Sequence, residues 1–210
     1  MITEKGVDKK GNRYWSMTVE PVSYPVTVDE IKEFARIDGT DEDSILESFL
    51  VGVVNSVEAY LGRALITRTY KLIMDEWNSK DIELPMPPLI SVSSVKTVDE
   101  SDTETTYSSS NYFVITESIP GRLVIKKDAE IPTNTERYQA GYNITFTAGY
   151  GTNRNNVPKQ IRIAIMQWVT IIYENRSMAE NDFNSNNKIT GREIPMEVQN
   201  ILKPYRVARL

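Results

Sequence analysis

The pattern that most constrains the fold is a change in hydrophobic periodicity along the chain. Apolar residues recur at helical spacing over residues 27–62 and again over 157–203, which predicts two pairs of helices. Between these stretches, short runs alternate near period two, which predicts antiparallel strands. The sequence therefore predicts an α+β fold. Two N-terminal and two C-terminal helices pack together as a mainly helical core, and an antiparallel β-rich subdomain is inserted between them.

The same pattern gives the expected domain boundaries. The polar first segment with two prolines predicts an extended arm, although Tyr14, Trp15 and Met17 are apolar enough to dock on another surface. The expected regions are an N-terminal arm (1–26), a helical core in two parts (27–66 and 152–203), a β-rich insertion (67–151) and a C-terminal docking tail (204–210).

Local signals mark the helix ends. Thr27 and Glu30 have the spacing of a capping box at the start of the first helix. Gly39 and Gly62 suit the left-handed conformation that often ends a helix. Pro158 suits the first turn of the third helix, where its missing N–H costs nothing.

The third predicted helix is apolar on nearly all sides. Beyond its main apolar stripe it carries Ile163, Met166 and Val169. A helix of this kind is buried on several sides. We therefore expect these three residues to contact a neighbouring subunit.

Composition excludes several functions. The chain has no Cys and no His, which removes disulfides, thiolate nucleophiles, zinc fingers and imidazole acid–base chemistry. A formal net charge of −5 argues against general binding to duplex DNA. No continuous apolar run approaches the roughly 18–20 residues that cross a bilayer, and the N-terminus lacks a signal-peptide pattern. We expect a protein made in the cytoplasm with no membrane partner.

Three short patterns resemble chemical sites. Gly149-Tyr150-Gly151 follows a strand, but a dinucleotide fingerprint needs a third glycine where Arg154 stands, so a tight turn is favoured. Ser93 and Lys96 have S-x-x-K spacing but lie in a predicted strand.

The third pattern is an early acidic cluster at Asp38, Asp41 and Asp43. Its register does not match a calcium-binding loop, whereas acids at a helix start are favoured by the helix dipole. We therefore expect no catalytic residues, no metal ion and no cofactor.

The C-terminus is basic and has two interpretations. Lys203, Arg206 and Arg209 carry charge with no acid among them. A frayed, solubilising terminus is one interpretation. The other is a docking peptide for an acidic groove, since Tyr205, Val207 and Leu210 offer apolar anchors between the cations. The residues alone leave both open.

An ordered series of segments resembles one known family. It includes Val57-Glu58-Ala59-Tyr60-Leu61-Gly62-Arg63-Ala64-Leu65 near the end of the second helix and Leu202-Lys203-Pro204-Tyr205-Arg206 near the chain end. The other segments are 28–38, 41–46, 84–92, 147–151, 157–158 and 173–176. Together they resemble the tailed-bacteriophage head–tail connector proteins, also called head-completion adaptors, over residues 27–206.

The resemblance implies a non-enzymatic virion protein of the head–tail neck, made in the bacterial host. Such adaptors form a ring, usually of twelve subunits, beneath the portal protein. The ring extends the channel through which genomic DNA passes without sequence-specific binding, and it offers a platform for stopper or tail-completion proteins. The C-terminal segment commonly contacts the portal, so the expected portal-binding residues are Lys203, Tyr205, Arg206, Arg209 and Leu210.

Two other functions are considered. The chain could be a tail terminator or tail-completion protein on the other side of the same joint. It could instead be a carboxylate-dependent hydrolase that uses acids of the β-rich insertion, such as Asp99 or Glu104.

Overall fold

The computed structural model describes residues 5–7, 13–19, 21, 23–133, 137–175 and 194–207. Within these ranges the helices are α1 (Val28–Ala35), α2 (Asp43–Leu61), α3 (Lys159–Asn175) and α4 (Met196–Leu202). The strands are β1 (Lys5–Val7), β2 (Arg13–Val19), β3 (Arg68–Met74), β4 (Asp81–Glu83), β5 (Leu89–Val98), β6 (Glu104–Tyr107), β7 (Tyr112–Ile115), β8 (Arg122–Ile125) and β9 (Tyr142–Ala148). This arrangement confirms the α+β fold.

The chain divides into two compact units, each built from two separate chain segments. The β unit comprises Met1–Val22 and Ile66–Thr152, and the helical unit comprises Ser23–Leu65 and Asn153–Leu210.

Antiparallel pairing organises the β unit. One sheet has the strand order β1-β2-β3-β9-β5-β6, and a second has the order β4-β8-β7. Side chains of β3 alternate between buried and half-buried, as expected for a sheet with one face in the core. Tyr70 stacks on Phe146 of β9 with ring centroids 5.6 Å apart, and both are fully buried. These rings form the centre of the β core.

Part of the N-terminal region belongs to this sheet. Residues 13–19 were expected in an extended arm, but they form β2 and pair with β3, with Tyr14 opposite Ile73. Trp15 meets the Tyr70 ring edge-on at 5.8 Å, and Met17 is buried. The apolar residues that suggested a docking arm therefore pack on the chain's own β unit.

In the helical unit, α1 begins with the predicted capping box. The Thr27 amide donates to Glu30 Oε2 at 2.9 Å, and the Glu30 amide donates to Thr27 Oγ1 at 3.2 Å. The predicted end at Gly39 is wrong, because Arg36 takes the left-handed conformation and caps the helix. Gly62 ends α2 as predicted, and its amide donates to the Glu58 carbonyl at 2.8 Å.

Helix α2 supplies much of the core of the helical unit. Its buried residues recur at helical spacing, as predicted. By length and composition alone α2 could cross a bilayer. The burial of one continuous apolar stripe indicates instead the core helix of a folded domain. The buried apolar residues are Leu46, Leu50, Val53, Val54, Val57 and Leu61.

Candidate protein-interaction site

The C-terminal segment, Lys203–Val207, continues the helical unit rather than leaving it. Lys203–Tyr205 forms a single 3-10 turn directly after α4, and the Arg206 amide donates to the Lys203 carbonyl at 3.2 Å. Pro204 lies in the first positions of this turn, where its missing N–H costs nothing. The proline therefore starts a new turn where the helix ends.

Side chains from the end of α2 hold this segment. Arg63 follows the left-handed Gly62, and its Nε donates to the Tyr205 carbonyl. The Arg206 guanidinium lies 5.1 Å from the centroid of the Tyr60 ring, within the range of a cation–π contact. Two consecutive residues of the segment, Tyr205 and Arg206, thus contact the end of α2.

Two further hydrogen bonds complete the attachment. The Val207 amide donates to the Leu61 carbonyl at 2.9 Å, which satisfies an acceptor of the last turn of α2. The Tyr205 hydroxyl donates to Gln160 Oε1 at 3.0 Å, which connects the segment to the start of α3. The chain is therefore held in place through residue 207.

The surface at this end of the helical unit is basic. Lys203 and Arg206 are exposed, and so is Lys159, which precedes the residue that Tyr205 contacts. We call Lys159, Lys203 and Arg206 the basic patch. Arg209 and Leu210, also predicted to bind the portal, lie outside the described residues.

The opposite end of α2 is acidic. Asp38, Asp41 and Glu47 are exposed there, and the Tyr173 hydroxyl donates to Glu42, which brings the end of α3 to the same place. A helix of 19 residues spans about 28 Å. The helical unit is therefore polarised, and the acids near the N-terminus of α2 also complement its dipole.

One partly buried ion pair fixes the entry to the helical unit. Arg162 of α3 donates to Glu30 Oε1 at 2.6 Å and to the Pro25 carbonyl at 3.0 Å. It also donates to Asn155 Oδ1 at 3.3 Å, while Arg154 lies 3.5 Å from the same Glu30 oxygen. The Arg162 guanidinium thus connects α3 to α1, to the chain before α1 at Pro25 and to the chain before α3 at Asn155.

The three residues predicted to contact a neighbouring subunit have different surroundings. Ile163 is 43% exposed, and Met166 is partly exposed. Val169 is fully buried at 0%, because its position on α3 places it with the core residues Ile165 and Trp168. Its side chain has no surface to offer a partner, so the candidate interface is reduced to Ile163 and Met166.

The glycine turn 149–151 has a structural role. The Gly149 amide donates to the Pro88 carbonyl at 2.9 Å, and the Gly151 carbonyl accepts from the Thr67 amide at 3.0 Å. The first bond fastens the exit from β9 to the residue before β5, and the second fastens it to the residue before β3. The tight turn that the sequence favoured accounts for both glycines.

The acids considered for hydrolysis are engaged in the β unit. Glu104 accepts from Lys96 Nζ at 2.6 Å, and Asp102 pairs with Arg137 at 2.6 Å. Glu104, Asp102 and Arg137 border an open cavity of about 300 Å³. Hydrogen bonding to Lys96 and its charge lower the pKa of Glu104, whereas a general acid at neutral pH needs a raised pKa.

Asp99 organises the loop between β5 and β6. Its Oδ1 accepts from the Ser101 and Thr103 amides and from the Ser101 hydroxyl, each at 2.9 Å. These bonds, the Thr103 amide first, lower the pKa of Asp99 below its ordinary value of 3.8. The Asp99 carboxylate therefore caps the loop. Because it is ionised near neutral pH, it cannot serve there as a proton donor.

We expect this loop to loosen in acid. Because the folded-state pKa is depressed, the contribution of Asp99 is complete above its unfolded pKa and is lost as pH falls through the folded value. The Asp99 carboxyl carbon, followed by NMR, should titrate below 3.8. Ser101→Ala should move the midpoint upward by removing one donor. A wild-type midpoint at or above the ordinary value would contradict this assignment.

Sequence reasoning missed the residues that attach the C-terminal segment and the arginine that joins α1 to α3. Tyr60 and Arg63 lie in one of the segments that carried the family resemblance, and Tyr205 and Arg206 lie in another. Their presence in these two segments was the available signal. Nothing in a single sequence, however, shows that two segments so far apart contact each other.

The fold and the sequence are both similar to those of known proteins. The fold resembles three chains from solved particles, and each match covers 92% of this chain and 97% of the other chain. They are described as the neck of an empty GTA particle computed with C6 symmetry (20% identity, TM-score 0.70), the neck of a native GTA particle computed with C12 symmetry (21%, 0.70) and the virion of a native gene transfer agent particle (22%, 0.69).

The model of the head completion protein family matches residues 26–208, most of the chain. The chain therefore belongs to the head completion protein family, which confirms the resemblance drawn from the ordered segments. A comparison with curated proteins found no match.

Proposed function

We propose that this protein is a structural component of the virion neck that joins the head to the tail. The observation that carries the proposal is the family match over residues 26–208. The likeness to chains from the neck of GTA particles supports the same location. In this role the protein forms a ring under the portal, extends the DNA channel and provides the platform for a stopper or tail-completion protein.

The basic patch is the proposed portal-binding surface. Lys159, Lys203 and Arg206 are exposed at one end of the helical unit, and the C-terminal segment that carries two of them is already folded. An acidic groove on the portal would complement this charge and guide the encounter. Arg209 and Leu210 follow directly and complete the proposed contact.

Ring formation is assigned to α3. Ile163 leaves nearly half of an isoleucine side chain exposed, and Met166 adds adaptable apolar surface one turn further along. A heterologous contact repeated around a closed ring buries such residues in every copy. The C12 symmetry reported for the neck of the native GTA particle supports a ring of twelve. A net charge of −5 per copy favours free passage of DNA.

Electron microscopy of the purified protein, alone and with the portal, tests this function. We expect rings that cap the portal on the tail side. In pull-down experiments the portal should retain the protein and the tail tube protein should not. Retention by the tail tube protein alone would identify a tail terminator, and absence from purified virion necks would exclude the proposed role.

At the residue level, weakening the basic end should weaken portal binding. Deleting residues 208–210 leaves the described contacts of the C-terminal segment in place, and Arg206→Glu reverses an exposed charge. We expect each change to raise the Kd by about tenfold, with a larger effect of Arg206→Glu at low salt, where screening is weak. Surface plasmon resonance measures both.

Glu197→Lys is the matched control for charge. Glu197 is also exposed, but it lies in the first turn of α4, at the far end from the basic patch. This variant should bind the portal within about twofold of the wild type, as expected for a charge outside the interface. Equal losses for Arg206→Glu and a neutral change at the same site, independent of salt, would argue against an electrostatic contact.

A further inference from the structure

We infer that Arg63 is the positioning residue of the portal-binding surface: it holds the C-terminal segment in its docking geometry before the portal is met. This inference rests on the proposed portal binding. It assigns a role to a side chain that is itself too buried to touch the portal, because Arg63 is only 8% exposed.

The burial of Arg63 points to a dedicated task. Arginine is almost never this buried unless its donors are used. Its Nε donates to the Tyr205 carbonyl, a main-chain acceptor in the middle of the C-terminal segment. A main-chain contact does not depend on the side chain at 205, so Arg63 fixes the path of the backbone.

The base that supports Arg63 is rigid. Gly62 takes the left-handed conformation, which turns the chain at the end of α2. Beneath this turn, the fully buried Glu58 accepts from the Leu65 amide at 2.7 Å. The guanidinium is thus attached to a fixed turn rather than to a mobile loop.

The contacts on both sides of Tyr205 depend on the same path. Arg206 stacks on Tyr60, and the Val207 amide reaches the Leu61 carbonyl. Both require the backbone at 205 to lie close to the end of α2. Without Arg63 the segment would have to be ordered during docking, and ordering a free segment costs affinity.

The experiment compares the full-length wild type with Arg63→Lys and Arg63→Ala in two readouts. Amide hydrogen exchange at Val207, measured by NMR, reports the attachment without any partner. Surface plasmon resonance against the portal reports docking. Lysine keeps the charge but lacks the planar fork of donors, so it should restore only part of the effect.

We expect Arg63→Ala to speed amide exchange at Val207 by about tenfold or more and to raise the portal Kd by about tenfold. Arg63→Lys should give values between those of the wild type and those of Arg63→Ala. Tyr60→Leu keeps Arg63 and should change both readouts in the same direction but less. If Arg63→Ala fails to fold, Arg63→Lys decides the matter, because it removes the Nε donor and keeps the charge.

The opposite results are equally clear. Unchanged exchange at Val207 in a folded Arg63→Ala protein would overturn the attachment. Faster exchange with unchanged portal affinity would overturn the positioning role and leave the proposed function intact. If the wild type does not bind the portal at all, the proposed function fails, and the docking role of Arg63 fails with it.

Discussion

Replacing Gly149 with alanine should destabilise the protein by about 4 kcal/mol, combining overpacking with backbone strain. Gly149 has φ +133°, which side chains rarely adopt, and an added Cβ would lie 2.7 Å from the Ile66 carbonyl and from Thr67 Cα. Both neighbours are main chain, so neither can move aside alone. Urea denaturation followed by circular dichroism measures the loss.

Gly39→Ala is the matched control. Gly39 also has positive φ, at +82°, but nothing lies within 4 Å of an added Cβ. Its replacement should cost only the left-handed penalty of about 1 kcal/mol. The difference between the two variants reports chiefly the close approach of the turn after β9 to the chain before β3. Equal losses would contradict that explanation.

Arg162→Ala should destabilise the helical unit by about 3 kcal/mol, because hydrogen bonds to charged groups contribute roughly 1.5–3 kcal/mol each and Arg162 makes several. The change removes its bonds to Glu30, Asn155 and the Pro25 carbonyl together. Equilibrium unfolding in urea measures the loss, and Arg162→Lys should recover part of it.

Arg154→Ala tests whether charge alone explains the effect. Arg154 approaches the same Glu30 oxygen at 3.5 Å, but its side chain is 45% exposed. Exposed ion pairs contribute about 0–1 kcal/mol, so this variant should stay within that range. A loss as large as that of Arg162→Ala would show that proximity to Glu30 matters more than burial and geometry.

The sequence predicted the elements better than their partners. Helix spacing identified α2 and α3, and the capping box at Thr27 and Glu30 was found atom for atom. Both depend on residues close together in the chain. The end of α1 was missed because Arg36 takes the left-handed conformation, which propensity disfavours for a residue other than glycine.

Long-range placement accounts for the other differences. The strand character of residues 13–19 becomes visible only through pairing with β3, 50 or more residues later. Val169 has the same apolar side chain whether it faces a core or a neighbour, so its residue type did not decide the matter, although it lies one helical turn after Ile165 of the core stripe. In the candidate site, the charges of Lys203 and Arg206 were predicted, but Arg63 was not, since its role exists only once residue 205 lies beside it.

The division of each unit into two chain segments sets the order in which the protein can fold. Strand β3 pairs with β9 across an interval of more than 60 residues, and α2 must wait for α3 before its apolar stripe is covered. Contacts this distant in sequence slow folding, because a long loop must close before any of them forms. On the ribosome, α1 and α2 therefore emerge without α3 until the whole of the β unit has been synthesised. A cell that makes many copies of the protein must protect that stripe during the interval, so chaperone dependence should fall chiefly on the first helical segment.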